Sequence, residues 1–253
     1  MNKAPTIAIL YIATGRYVVY WEEFYKTAQK HFLPDCTRKF ILFTDRPTEI
    51  QCGADVEIVP IEHLGWPYIT LLRYRVFLQH RHLWNDADYV FFLNANDRFL
   101  HRITRWILPD DTNGGLVAAV HRGSEKKHPD RYSYERRAES RACIPLGQGS
   151  HYFAGGFNGG TSAAYEKMCT TINEWIEDDL SRDIIARWHD ESHLNRYLVD
   201  SPVKVLPDTF VHDENKVRWY NRWRIYAELR DKNKLGGHQF MRGINVESST
   251  SDN

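Results

Sequence analysis

The 253-residue chain is 42% hydrophobic and 26% charged, with eight Trp and 13% aromatics, a composition able to bury a full core within one large domain. Its 33 Lys+Arg balance 33 Asp+Glu, which argues against a general nucleic-acid binder, since such proteins carry a basic excess. No apolar run approaches the roughly 18 residues of a membrane span, and four cysteines with no CxxC pair read as free thiols, not as a disulfide frame or zinc site.

Residues 6–12 (TIAILYI) form the first predicted strand. The stretch imitates a signal peptide, but Tyr11 interrupts it and a helical pattern follows directly. Ala13, Thr14 and Gly15 suit a strand-to-helix turn. From Tyr17 the apolar positions Trp21, Phe24, Tyr25, Ala28 and Phe32 recur at spacings of three and four, predicting an amphipathic helix. Strands follow at 39–44 (KFILFT) and 56–61 (VEIVPI), then a helix around 70–83, a strand at 88–93 (DYVFFL) and a short strand at 116–120. Continuously apolar strands alternating with helices predict an α/β fold: a mostly parallel sheet covered on both faces. Such sheets bind ligands beyond the carboxyl ends of their strands, which directs attention to 13–17 and 94–97. The stretch 122–141, with seven Lys/Arg and four Asp/Glu, reads as a solvated loop. The run 147–160 (GQGSHYFAGGFNGG) is expected to interrupt regular structure, with helices after it at 163–176 and 184–198. With no repeat or linker visible, 1–246 is expected to be one domain and the polar end 247–253 a disordered tail.

Four constellations bear on chemistry. Asn94-Ala95-Asn96-Asp97 follows a buried strand. Carboxylates there would clamp a divalent ion on a diphosphate, but Asn offers only a neutral carbonyl and Asp97 is a single carboxylate; the bland alternative is a polar turn. In 188–198 (WHDESHLNRYL), helical spacing turns Leu194, Tyr197 and Leu198 to the core and groups Trp188, Glu191 and Asn195 on another face. His189 and His193 are four apart, yet the HExxH order of a zinc protease is missing. Acids beside a Trp suit carbohydrate chemistry; they would also favour the start of a helix. Consecutive glycines in 154–157 (AGGF) permit close approach of a ligand or make a flexible loop. The basic residues Arg218, Arg222, Arg224, Arg230, Lys232, Lys234 and Arg242 could close over a phosphate or form a solvated face.

Together, KTAQKHF (26–32), FTD (43–45), DYVFFLNAN (88–96), SYERR (133–137), HYFAGGFNGG (151–160) and WHDESHLNRYL (188–198) resemble glycosyltransferase family 6, the family of the ABO blood-group transferases and the α1,3-galactosyltransferase. The resemblance implies a GT-A fold and retaining transfer of Gal or GalNAc from a UDP-sugar to O3 of a galactoside. It assigns Ala13, Thr14 and Tyr17 to uridine, Asn94, Ala95 and Asn96 to the donor-binding turn, and Arg73 to the donor sugar and its phosphates. It assigns Ala154, Gly155 and Gly156 to donor-sugar selection, Asp190 to a sugar hydroxyl and Lys232 to the diphosphate. On the acceptor side it implies His121, Ser133, Trp188 and Asp213, with Glu191 beneath the reacting carbon. Glu191 and Arg73 are the expected catalytic pair.

The animal members carry Asp-Xaa-Asp where this chain has Asn94-Ala95-Asn96, as bacterial members do. The resemblance therefore implies a metal-independent enzyme with no cofactor beyond its UDP-sugar. Glycine at 156 favours UDP-GalNAc over UDP-Gal, and the ABO-like pattern suggests a Fucα1-2Gal acceptor. A galactosyltransferase is the nearest alternative; a non-catalytic UDP- or glycan-binding relative is the other. The membrane anchor and stem of the animal members have no counterpart ahead of the first strand, which gives the expectation of a cytoplasmic, bacterial-type enzyme building a surface glycan.

Overall fold

The computed structural model describes residues 3–124 and 127–244. The expected tail at 247–253 lies outside them, as do two residues of the polar stretch. In chain order the elements are β1 (Thr6–Ile12), α1 (Trp21–His31), β2 (Thr37–Thr44), β3 (Val56–Pro60), α2 (Tyr68–Leu71), α3 (Arg73–Gln79), β4 (Tyr89–Leu93), β5 (Asp97–Phe99), β6 (Leu116–Val120), β7 (Phe153–Thr161), α4 (Ser162–Ser181), α5 (Asp190–Val199), β8 (Lys204–Leu206), β9 (His212–Asp213), β10 (Ala227–Leu229) and α6 (Gly237–Met241).

A seven-stranded sheet runs β3-β2-β1-β4-β7-β6-β8, and a small sheet runs β5-β10-β9. Within the large sheet β7 alone opposes its neighbours; the rest point the same way. This is the mixed α/β, helix-flanked architecture of a GT-A-type fold. Side chains alternate across a strand, so Ile7, Ile9 and Tyr11 join a core under α1 with Phe24, Phe32 and Phe91. Ala8 and Leu10 face the other way, into a core with Phe77, Tyr165 and Leu194. Burial on both faces explains why β1 and β4 read as unbroken apolar runs.

Three expectations change. The glycine-rich run does not interrupt regular structure: its second half is β7, in the middle of the sheet. Glycine serves packing there, because a Cβ at Gly159 would lie 2.6 Å from the Val90 carbonyl and one at Gly160 2.6 Å from the Gly115 carbonyl. The helix expected over 70–83 is split at Leu72, whose ψ of 14° leaves the helical region, and Arg73 then opens α3. The helix expected over 184–198 begins only at Asp190, since Asp183 and His189 both hold positive φ, 57° and 53°.

Candidate active site

Residues just beyond the carboxyl ends of β1 and β4 line a common cavity. After β1, Gly15 turns the chain at φ 57°, and its N–H donates to Asp45 Oδ1 at 2.8 Å. Thr14 Oγ1 lies 3.0 Å from His63 Nδ1, and Tyr17 follows in a 3₁₀ turn over Gly15–Tyr20. After β4 the chain turns through Asn94-Ala95-Asn96. Asp97 Oδ2 accepts from the Asn94 N–H at 2.8 Å, and Asn94 Nδ2 donates to Asn96 Oδ1 at 2.9 Å. Asn96 Nδ2 donates to the Arg230 carbonyl at 2.8 Å, and the Arg230 N–H returns a bond to the Asn96 carbonyl at 2.8 Å. The turn is thus fastened to the C-terminal segment that carries Lys232. Asp97 is 1% exposed, and burial pushes its carboxyl well above the usual range, against the pull of the Asn94 N–H and Lys232.

Because Leu93 pairs with Phe157, the next step of the ladder sets Gly156 against Asn94: a Cβ at Gly156 would lie 2.9 Å from Asn94 Cβ. A Cβ at Gly155 would lie 3.1 Å from Glu191 Cβ. Gly155 lets β7 run directly beneath the first turn of α5, while Gly156 lets it lie close to the turn after β4. There Glu191 is held from two sides: Tyr152 O–H donates to Oε1 at 2.5 Å and the Gly155 N–H to Oε2 at 2.8 Å. Asn195 locks α5 to β7, accepting from the Phe153 N–H at 2.8 Å and donating to the Phe153 carbonyl at 2.9 Å. Asp190 pairs with Arg73, whose Nη1 also donates to the Gly155 carbonyl at 3.0 Å. Both ions are buried. Burial pushes Asp190 up to about 6, although Arg73 pulls it down. His189, at φ 53° and ψ −124°, holds a backbone shape unfavourable for a side-chain-bearing residue; such strain gathers at functional sites. It sends Trp188 and Asp190 in different directions.

Two cavities meet at this carboxylate. The first, about 230 Å³, is lined by Thr14, Tyr17, Arg73, Asn94, Gly155, Asp190 and Lys232, among others. The second, about 200 Å³, is lined by His121, Arg122, Ser133 and Tyr152. Trp188 and Glu191 line both. The first cavity is roofed by the C-terminal segment: Arg16 stacks on Phe240 at 3.7 Å, and Arg242 stacks on Trp66 at 3.6 Å. Lys232 lies over the Tyr17 ring at 5.1 Å. Burial lowers its ammonium to about 8, with Arg242 adding repulsion and Asp97 opposing the shift. Burial, with Arg242 and Arg73 adding repulsion, also lowers His189, which favours a neutral ring.

Most of the residues singled out in the sequence converge here. Thr14, Tyr17, Arg73, Asn94, Ala95, Gly155, Gly156, Asp190 and Lys232 line the first cavity, His121 and Ser133 the second, and Trp188 and Glu191 both. Four do not. Ala13 and Ala154 point into the core beneath the sheet. Asn96 spends its amide on Arg230. Asp213 sits behind Arg122, 3.9 Å away, and pairs with Lys216 at 2.9 Å. The expected helical face of Trp188, Glu191 and Asn195 also fails, since Trp188 precedes the helix. Nor do His189 and His193 form a metal pair: His193 is buried on Asp179 at 3.2 Å, while His189 packs against Trp66. Sequence reading missed His63, Trp66 and Tyr152, and had Arg242 only as one of many basic residues. Tyr152 stood within the quoted HYFAGGFNGG run; His63 and Trp66 lie in a loop without any pattern.

Comparison with known proteins gives the same direction. The profile of glycosyltransferase family 6 matches residues 1–235. The chain is 29% identical over 246 residues to histo-blood group ABO system transferase 1 of Rattus norvegicus, covering 94% of this chain and 68% of that one. It is 31% identical over 194 residues to O-antigen biosynthesis glycosyltransferase WbnI of Escherichia coli, covering 76% and 81%. It is 30% identical over 237 residues to globoside alpha-1,3-N-acetylgalactosaminyltransferase 1 of Gallus gallus, covering 90% and 68%.

Proposed function

Because the chain belongs to glycosyltransferase family 6, we propose that it transfers GalNAc, with retention, from UDP-GalNAc in α1,3 linkage to a galactoside, Fucα1-2Gal by preference, without a metal ion. The observation that carries this reading is the shared wall: Glu191 faces both a basic cavity suited to a nucleotide diphosphate and a second cavity open to a sugar.

In this reading UDP lies across the ends of β1 and β4, its diphosphate met by Lys232, Arg242 and Arg73 through charge-assisted hydrogen bonds. The C-terminal segment excludes water that would hydrolyse the donor. The bond from the anomeric carbon to the phosphate oxygen breaks and the carbon turns positive. Glu191, oriented by Tyr152 and Gly155, either stabilises that cation or bonds to it transiently. Acceptor O3 forms the new bond and its proton passes to the departing phosphate. Trp188 offers a flat face to the acceptor galactose.

The turn after β4 does not suit a hard cation. It presents the neutral amide of Asn94, Asn96 is committed to Arg230, and the Asp97 carboxyl is buried, bonded to the Asn94 N–H and outside the cavity lining, where burial disfavours its charged form. These donors support metal independence. Gly156 supports GalNAc, since it lines the first cavity with no side chain of its own and leaves room there for a 2-acetamido group. We also propose that the enzyme works in the cytoplasm of a bacterium on a surface-glycan precursor.

The test is a matrix of UDP-GalNAc and UDP-Gal against fucosylated and unfucosylated galactosides, with and without EDTA, reading UDP release and product linkage. GalNAc transfer unchanged by EDTA is expected. Preference for UDP-Gal would make the chain a galactosyltransferase, and turnover restored only by Mn²⁺ would overturn metal independence. UDP binding without product from any pair would make it a non-catalytic relative.

A further inference from the structure

The segment Arg218–Arg224 reads RWYNRWR: three arginines, two tryptophans and a tyrosine, with no acid, in a chain whose charges cancel overall. Trp219 is 89% exposed, Trp223 69% and Tyr220 62%. Three large aromatics in water at one spot mark a surface that meets a partner. The segment is built, not loose. The Arg218 N–H donates to Asn221 Oδ1 at 2.6 Å, Asn221 Nδ2 to the Lys216 carbonyl at 3.1 Å, and Trp223 Nε1 to the Tyr220 carbonyl at 3.1 Å. Neighbouring Arg230 and Lys234 are paired with Glu214, whereas Arg218, Arg222 and Arg224 meet no carboxylate among the described residues.

We propose that this segment docks the protein on an anionic phospholipid bilayer. Trp and Tyr are the side chains that settle at the headgroup level, with their rings in the acyl boundary and their polar edges in water. Arginine binds phosphate headgroups and is drawn to a negative surface. The placement gives the docking a purpose. The segment leaves the fold at Lys216, which shares Asp213 with Arg122, and Arg122 lines the second cavity. A lipid-borne glycan would therefore be presented beside the acceptor cavity; this consequence rests on the transferase reading, while the docking itself does not.

The test is co-sedimentation of the full chain with sucrose-loaded vesicles of phosphatidylcholine plus phosphatidylglycerol, against phosphatidylcholine alone. Binding to the anionic vesicles at low salt is expected. Partitioning should fall at least ~10-fold in the triple variant Trp219→Ser, Tyr220→Ser, Trp223→Ser, and likewise in Arg218→Gln, Arg222→Gln, Arg224→Gln. Activity on a soluble acceptor should stay at the parent level in both, since none of these residues lines either cavity. A protein that remains in the supernatant, or triple variants that sediment like the parent, would overturn the proposal. So would a dimer, seen by sedimentation velocity, that the same substitutions dissolve while vesicle binding is missing.

Discussion

Replacing Glu191 by Gln tests the centre of the mechanism with little disturbance of the fold. The amide oxygen can keep the bond from the Gly155 N–H, and the new NH₂ can donate to the Tyr152 oxygen, which then accepts instead of donating. At most about one hydrogen bond is weakened, ~1 kcal/mol, so Tm should move by no more than ~4 °C. The charge is lost outright. A carboxylate about 4 Å from a full positive charge, at an effective dielectric of about 20, contributes about 4 kcal/mol. A cation three-quarters developed gives about 3 kcal/mol, or ~10²-fold in rate. The variant should therefore lose at least ~10²-fold in kcat, the usual scale of one preorganised electrostatic contact. Steady-state UDP release with saturating donor and acceptor measures it. Tyr152→Phe removes only the hydroxyl that orients the carboxylate, and should cost about tenfold. If Glu191→Gln turns over within a few-fold of the parent while its melting curve is unchanged, Glu191 does not face the reacting carbon and the mechanism is wrong.

Burial lifts Asp190 to about 6 and lowers Lys232 to about 8. Below the first value Arg73 loses its charged partner, and above the second the diphosphate loses a cation. The profile of kcat/KM should be a bell with limbs near these values; Lys232→Arg, whose guanidinium stays charged, should remove the alkaline limb, and a limb that persists in that variant would point to another group. Arg16→Ala removes the stacking on Phe240 that helps hold the roof, worth about 1 kcal/mol. The donor KM should rise ~5-fold with kcat nearly unchanged, and hydrolysis of donor without acceptor should increase; an unchanged KM would mean that this contact does not hold the roof. Asn96→Asp, alone or with Asn94→Asp, should not install Mn²⁺ dependence. Its carboxylate would have no N–H for the Arg230 carbonyl and would set a buried acceptor against another, at a cost of about 2–3 kcal/mol. A Tm drop of ~5–10 °C is expected, and Mn²⁺-stimulated turnover at parental stability would refute the role assigned to that amide.

Local pattern determined much of this protein. The alternation of apolar strands and amphipathic helices fixed a mostly parallel α/β sheet, because side-chain burial leaves its period in the chain wherever an element has one covered face or two. The strand-end rule pointed to Thr14, Tyr17 and Asn94, which line the first cavity, because the turns that leave parallel strands gather at one edge of the sheet. Local pattern misread the glycine run as a break, since glycine's usual effect on a strand is unfavourable and the neighbours that demand it, the Val90 and Gly115 carbonyls, are distant in sequence. It also could not divide Asn94 from Asn96, or Gly155 from Ala154, because which side of a turn or strand faces the cavity depends on partners found far away, Arg230 for one and the core beneath the sheet for the other. The grip of Tyr152 and Gly155 on Glu191, and the pairing of Arg73 with Asp190, exist only because β7 is inserted between β4 and β6 and passes under the start of α5. That meeting is non-local, and only the tertiary structure decided it.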